Sequence, residues 1–445
     1  MTFLKRIRLI SWLTKAFFSK HGRIIVTGFL VGIIGFFLIS RLFPYLPRPK
    51  RHDKIAKVGK CLVDNLPEEI LELLSLGLTM VAEDGSAAPG LAQSWQISDD
   101  GLTYTFTLAD NLFWQDETPV KAEQIVYSFS DVDQETIDEK TIRFKLKEPF
   151  SPFLIILSKP VLQENNLGVG PYQIKRIKKS GNLIEKITLT GPEKDITFRF
   201  YPTEKDALLG FKLGEVDILD GFLANQLEEE WQRNTKVTTK ISQNQYLALF
   251  FNTQDSFLAD KSTRQALAYS IINKTEGESR ATGPINPQSW AYNSQVKLYE
   301  YNPTKAKELL EKGSQEKIKL ATTEPFLTLA EEIKKSWKET LDIEAEIEVI
   351  NTLPEDYQVF LGIQEIPLDP DQYVLWHSTR AENITHLKSP KIDKLLEDGR
   401  KITDLEERKE KYFDFQKFLA EESPAVFLSH PLIYRLERKE IFTWF

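Results

Sequence analysis

Cysteine is nearly absent: Cys61 stands alone, so no internal disulfide can form and the redox compartment leaves no mark on the chain. Histidine is scarce too. His21, His52, His377, His386 and His430 show no zinc-ligand spacing, and neither C-x-x-C nor H-E-x-x-H occurs. There is no G-x-S-x-G elbow, no Walker loop and no G-x-G-x-x-G after a strand. No nucleophile pairs with a base, so no catalytic residue, metal ligand or cofactor is expected. Asp369-Pro370-Asp371 lacks the alternating Asp/Gly pattern of a calcium loop and reads as a turn. Basic residues are missing from the body rather than from the whole chain. Residues 1–60 hold 13 Lys and Arg against one acid; with all 445 residues at −8, the remainder stands at −20. An acidic body argues against a nucleic-acid partner and for solubility.

An uncharged apolar run begins at Ile24 and, once Arg41 snorkels to the interface, extends to Leu46. At 1.5 Å per helical residue it spans roughly 25 to 34 Å, enough for a bilayer core. Arg41, Phe43, Pro44 and Tyr45 follow it instead of small residues, which favours a retained anchor over a cleaved signal. Before it, Leu4, Ile7, Ile10, Leu13 and Phe17 recur at helical spacing among basic residues, as in a helix lying on a membrane surface. The expected division is a basic amphipathic segment over 1–22, a transmembrane anchor over 23–46 and an extended linker over 47–58, stiffened by prolines and self-repelling charge. Lys and Arg flank the run on both sides, so charge does not decide its orientation.

Residues 91–129 carry the clearest pattern. Tyr104, Phe106 and Leu108 alternate with threonines, as on a half-buried strand, and Asp99-Asp100-Gly101 supplies the reversal of a hairpin. Pro119 opens a helix on which Ala122, Ile125, Val126 and Phe129 share a face. Beyond this unit short strands alternate with amphipathic helices, the pattern of an α/β protein, with roughly two to three domains at this length.

The order of that unit resembles the signature of family 5 extracytoplasmic solute-binding proteins, which include oligopeptide, dipeptide and nickel receptors of ABC importers. The resemblance continues through Gly77-Leu78-Thr79, Gly168-Val169-Gly170-Pro171-Tyr172, Gly214-Glu215-Val216-Asp217-Ile218, the strand from Tyr246 to Asn252, and Asp260 with Arg264-Gln265-Ala266-Leu267. It goes on through Gly283-Pro284, Trp290-Ala291-Tyr292, Tyr301-Asn302-Pro303 and Asp369-Pro370-Asp371, covering about residues 60–445 in the right order. It implies a two-lobe periplasmic-binding-protein-like fold of type II, cluster C, behind an N-terminal transmembrane helix. Lobe I would hold residues 59–245 and 425–445, and lobe II residues 246–424. The short interval over 131–166 implies a trimmed outer part of lobe I.

The function implied is capture of a peptide-like or other small organic solute by lobe closure, and its delivery to ABC permease subunits with a cytoplasmic ATPase. No catalysis is involved. The body would lie outside the plasma membrane as a monomer, held by the single span. Ligand contacts are expected at Gly77, Thr79, Trp290, Tyr292, Gln364, Glu365, Ile366 and Trp376; the residues alone leave Trp290 open between cleft lining and lobe II core. The chain departs from peptide receptors of the family where they carry a Trp and, three residues on, an Asp for the peptide amino terminus: Ile363 and Ile366 stand there. Unless Glu365 substitutes, a buried ammonium there has no counter-charge. That departure sustains a second expectation, an anchored structural or signalling ectodomain with the same fold and no uptake role.

Overall fold

The computed structural model describes residues 3–42, 50–63, 65–163, 165–224, 227–272, 279–310, 317–354 and 356–439. They form two units, the first ending at Arg51 and the second starting at His52. In the first, the amphipathic segment and the apolar run are one helix, Phe3–Leu42, about 60 Å long at 1.5 Å per residue. Its Ser19–Leu38 portion is long and apolar enough to cross a membrane. Residues 43–46, the expected end of the span, lie outside the described residues.

The expected linker over 47–58 is corrected: Arg51–Val58 is a strand. Ile55 and Ala56 are buried, and the strand runs parallel to Ile218–Phe222. Its basic residues do not repel the chain into an extended tether, because acids meet them. Lys54 faces Asp217, Lys57 pairs with Glu69 and Asp220, and the strand's own Asp53 accepts from Lys194 at 2.6 Å.

This strand lies inside the main sheet of lobe I, whose order is Thr235–Ile241, Leu432–Arg438, Ile218–Phe222, Arg51–Val58, Lys194–Tyr201, Leu183–Thr190 and Cys61–Leu62. Gln173–Ser180 also pairs with Leu183–Thr190. Beside it stands an antiparallel sheet ordered Ala92–Ile97, Thr103–Leu108, Thr141–Leu146 and Val132–Thr136. Here the alternation is realised: Tyr104, Phe106 and Leu108 are buried, and the threonines between them are not. The reversal is closed by Asp100, whose carboxylate accepts from the Leu102 amide at 3.0 Å, and by Gly101 at φ 69°.

The helix expected after Pro119 is corrected to a single 3-10 turn, Ala122–Gln124. Side chains take up the backbone groups that a helix would use. The Gln124 carboxamide oxygen accepts from Lys121 N and from Trp114 Nε1, while Gln134 accepts from Tyr127 N and donates to Ile125 O. One further glutamine ties this unit to the rest of the lobe. Gln115 Nε2 donates toward the carbonyls of Leu74, Gly170 and Tyr172. The chain at Gly168 lies so close that a Cβ there would sit 1.9 Å from Leu74 O.

Glu117 occupies the left-handed region at φ 67° in an exposed turn. Glu117→Gly is expected to raise stability by about 0.5–1 kcal/mol, read from the midpoint of urea unfolding.

Lobe II is a five-stranded mixed sheet ordered Ala345–Val349, Ile318–Thr322, Val359–Glu365, Gln245–Phe251 and Ala425–Ser429. Gln245–Phe251 is buried on both faces, which is why it reads as a nearly unbroken apolar run. Leu247, Leu249 and Phe251 pack with Leu267, Ile333 and Trp337 of the helices Lys261–Tyr269 and Leu327–Leu341. Tyr246, Ala248 and Phe250 face Ile392, Leu396, Phe415 and Leu419 of Pro390–Gly399 and Leu405–Glu422. Helix starts follow the sequence: Asp260 and Asn302 accept from the amides of Thr263 and Lys305, and Pro303 follows at the first helical position.

The return to lobe I does not fall at residue 425. Ala425–Ser429 pairs with Gln245–Phe251, so the crossings are residues 242–244 and 430–431. They are laced together: Ser242 N donates to Pro431 O at 2.9 Å, and His430 Nδ1 lies 2.8 Å from Gln245 O. That contact makes Nδ1 the donor of a neutral imidazole. Burial holds the His430 pKa below its ordinary value of 6.5, with the Gln245 carbonyl opposing. A lowered folded-state pKa means that the stabilisation is present above about pH 6.5 and is lost as pH falls through the folded value. Denaturation midpoints measured between about pH 7.5 and pH 5 are expected to fall more steeply for the native protein than for His430→Asn, which keeps an N–H but cannot charge.

Candidate functional site

Where the lobes face each other lies an open cleft of about 690 Å³. Lobe I supplies Leu66 and Pro67, which lead into the helix Glu68–Leu74, and residues of and around the helical turn Phe153–Ile156. Lobe II supplies the loop from Pro367 to Val374 and Arg400. Ile156, Leu368 and Val374 are 41%, 45% and 39% exposed, so apolar surface from both lobes is left uncovered inside one cleft. That surface is what a solute with an apolar part would cover.

The charges of the cleft divide into committed and uncommitted groups. Arg400 donates to Asp371 at 3.1 Å, and its guanidinium lies 4.9 Å from the Phe150 ring of lobe I and 4.1 Å from the Tyr373 ring of lobe II. Burial pushes the Asp371 carboxyl above the usual range, and Arg400 opposes this. Asp369 accepts two bonds from Arg408, one of 3.0 Å, and Arg408 also donates to Gly399 O and to the Tyr412 hydroxyl. Burial works against the Arg408 charge, but Asp369 and Tyr412 outweigh it and its pKa is raised. Glu68 stands in the first turn of its helix, where a carboxylate suits the dipole. Lys60 and Lys159, both exposed, have no ion-pair partner among the described residues. The cleft therefore offers apolar walls and, beside the single Glu68 carboxylate, two lysines that can meet an anionic group.

The lobes touch on either side of this space. Ser151 N donates to Arg400 O at 2.8 Å and Ser151 Oγ to Ile402 O, while Trp290 N donates to Asp84 O at 2.9 Å. Leu368 and Pro367 also line a second cavity of about 220 Å³, which reaches Asn244 at the crossing.

Of the residues expected from the sequence, Ile366 lines that second cavity. Trp290 borders a pocket of about 70 Å³ with Tyr104 and Asp369, its ring 5.4 Å from the Arg408 guanidinium. The rest are placed elsewhere. Gly77 packs so tightly that a Cβ would meet Leu157 O at 2.4 Å, and buried Thr79 donates to Leu154 O. Tyr292 bonds to Thr282, and Trp376 is core against Phe427. Gln364 and Glu365 pair with Tyr246 and Gln245 along the sheet, and Glu365 is exposed away from either cavity. Sequence reasoning missed Lys60, Phe150, Ile156, Lys159 and Arg400.

A two-lobed α/β body with two crossings and a lined interlobe cleft defines a receptor for a small solute. Residues 86–383 match the model of the bacterial extracellular solute-binding proteins, family 5 Middle, and the chain belongs to that family. Among its relatives is the probable D,D-dipeptide-binding periplasmic protein DdpA of Escherichia coli, 24% identical over 76% of this chain and 78% of that protein. Two solved structures share the fold. The ABC transporter substrate binding protein CtaP of Listeria monocytogenes has a TM-score of 0.72 at 20% identity, over 88% of this chain and 94% of that one. NikZ of Campylobacter jejuni, in complex with Ni(L-His), has a TM-score of 0.70 at 23% identity, over 88% and 95%.

Proposed function

We propose that this protein captures a peptide-like solute bearing an acidic group in its interlobe cleft and delivers it to an ABC permease driven by a cytoplasmic ATPase. The observation that carries this reading is the cleft itself, where exposed Ile156, Leu368 and Val374 from two lobes adjoin Lys60 and Lys159, which have no ion-pair partner among the described residues. A ligand touching both lobes favours the closed arrangement over the open one, which is the signal a permease can read. The relatives named as dipeptide- and oligopeptide-binding proteins support the solute class. No chemistry on the solute is part of this role.

We read the apolar helix, long enough to span a bilayer, as a retained single-pass anchor with the body outside the membrane, and the protein as a monomer. Native mass spectrometry of the chain purified from its own membranes tests both parts. The expected result is an intact N-terminus and a bound molecule of peptide-like composition with a carboxylate. An N-terminus starting beyond residue 46 contradicts the anchor. A purely apolar or cationic passenger contradicts the solute class.

A further inference from the structure

The main sheet of lobe I carries, on one face, a charge pattern that its fold does not call for. Ile177, Ile187, Leu189, Ile196 and Phe198 pack into the core on the inner face. On the opposite face Lys178, Lys186 and Arg199 stand directly across from one another on the neighbouring strands Gln173–Ser180, Leu183–Thr190 and Lys194–Tyr201. Two residues along, Arg176, Thr188 and Thr197 form the next row, and His52 of Arg51–Val58 joins it with Nε2 2.8 Å from Thr197 Oγ1. Like charges directly opposite each other weaken a sheet. Carboxylates answer only the ends of the first row, Glu185 at 2.5 Å from Lys178 and Glu215 at 3.0 Å from Arg199, while Asp195 takes the nearby Lys175 at 3.0 Å. Lys186 and Arg176 are exposed and have no ion-pair partner among the described residues. The face is thus cationic on a body that is acidic as a whole.

We infer that this sheet face binds an anionic phospholipid surface. A row of cations that costs the sheet stability is a local rule broken, and an anion outside the protein is what offsets it. The chain itself supplies the bilayer. Eight residues, 43–50, join the apolar helix to Arg51, a reach of at most roughly 30 Å when fully extended. Arg51 opens the strand whose His52 stands on the cationic face, so the tether enters the body at this face. Cations kept this near a negatively charged bilayer are drawn to it, by an attraction that salt screens. An acidic protein would have to arrive from solution, whereas the bilayer is covalently at hand. This inference rests on the retained anchor for its bilayer, and goes beyond it by assigning the part of the body that meets lipid.

Lysine acetylation read by mass spectrometry, on the full chain in nanodiscs of phosphatidylcholine alone or mixed with phosphatidylglycerol, tests the face. Co-elution with the discs reads the anchor separately. Lys178 and Lys186 are expected to react about fivefold or more slowly in the anionic discs at low salt, and to lose that protection at high salt. Lys335 of lobe II, its side chain 73% exposed, is expected to react equally in both. Lys186→Glu turns repulsion from Lys178 and Arg199 into attraction, so it is expected to unfold at a higher urea concentration and to lose the protection of Lys178. Co-elution with both discs and equal rates in them overturns the lipid face and leaves the anchor standing. Co-elution with anionic discs alone, with the lysines protected, keeps the face and contradicts the anchor. No co-elution with either overturns both. Protection by soluble polyglutamate and not by anionic discs assigns the face to an acidic protein and overturns the inference.

Discussion

Arg408→Met is expected to destabilise the protein by about 3–5 kcal/mol, because it leaves the Asp369 carboxylate buried without its partner. Asp369 and Arg408 are only 7% and 5% exposed, and the same guanidinium also satisfies Gly399 O and the Tyr412 hydroxyl. The effect is read from guanidinium unfolding followed by tryptophan fluorescence. Removing both charges in Arg408→Met with Asp369→Leu is expected to recover a large part of the loss, since the cost comes from the orphaned charge and not from the absence of the pair. A single variant within about 1 kcal/mol of the native protein would mean that water reaches Asp369. The D-P-D turn is thus held by its carboxylates, one on Arg408 and one on Arg400, and this sets the loop that forms the lobe II wall of the cleft.

Leu368→Arg is expected to weaken binding of the cleft solute by about a hundredfold or more, as a long cation replaces apolar wall at the junction of the two cavities. Leu368 is 45% exposed, so the same substitution is expected to move stability by no more than about 0.5 kcal/mol. Calorimetry and urea unfolding on one preparation separate the two effects. A parallel loss of stability and binding would make Leu368 a structural residue, and unchanged binding would place the solute elsewhere.

The two results differ in how far the sequence foretells them. Local patterns transfer well: the Thr103–Leu108 alternation, the Asp100-Gly101 reversal and the Asp260 and Asn302 caps all depend on neighbours a few residues away. Arg51–Val58 was hidden because its partners, Asp217, Asp220 and Lys194, are over a hundred residues distant, so a paired strand read as a repelling tether. The false helix after Pro119 had helical spacing, but Gln124 and Gln134 captured its backbone groups instead. The cleft was least legible. Its residues come from loops on two lobes, which carry no periodicity, and several expected contacts proved to be packing: Gly77 and Trp376 lie against backbone and core rather than open space. Ile366 lies on a cavity wall, while Glu365 is exposed away from either cavity.

Lobe closure on a peptide-like solute is tested most directly by single-molecule energy transfer between one label on each lobe, at Lys178→Cys and Lys335→Cys, both exposed, with Cys61 buried. On adding a defined mixture of dipeptides and tripeptides to the full chain in nanodiscs, the inter-lobe distance is expected to shift to a shorter, narrower distribution. An unchanged distribution under peptide concentrations that calorimetry shows to be saturating would contradict capture by closure.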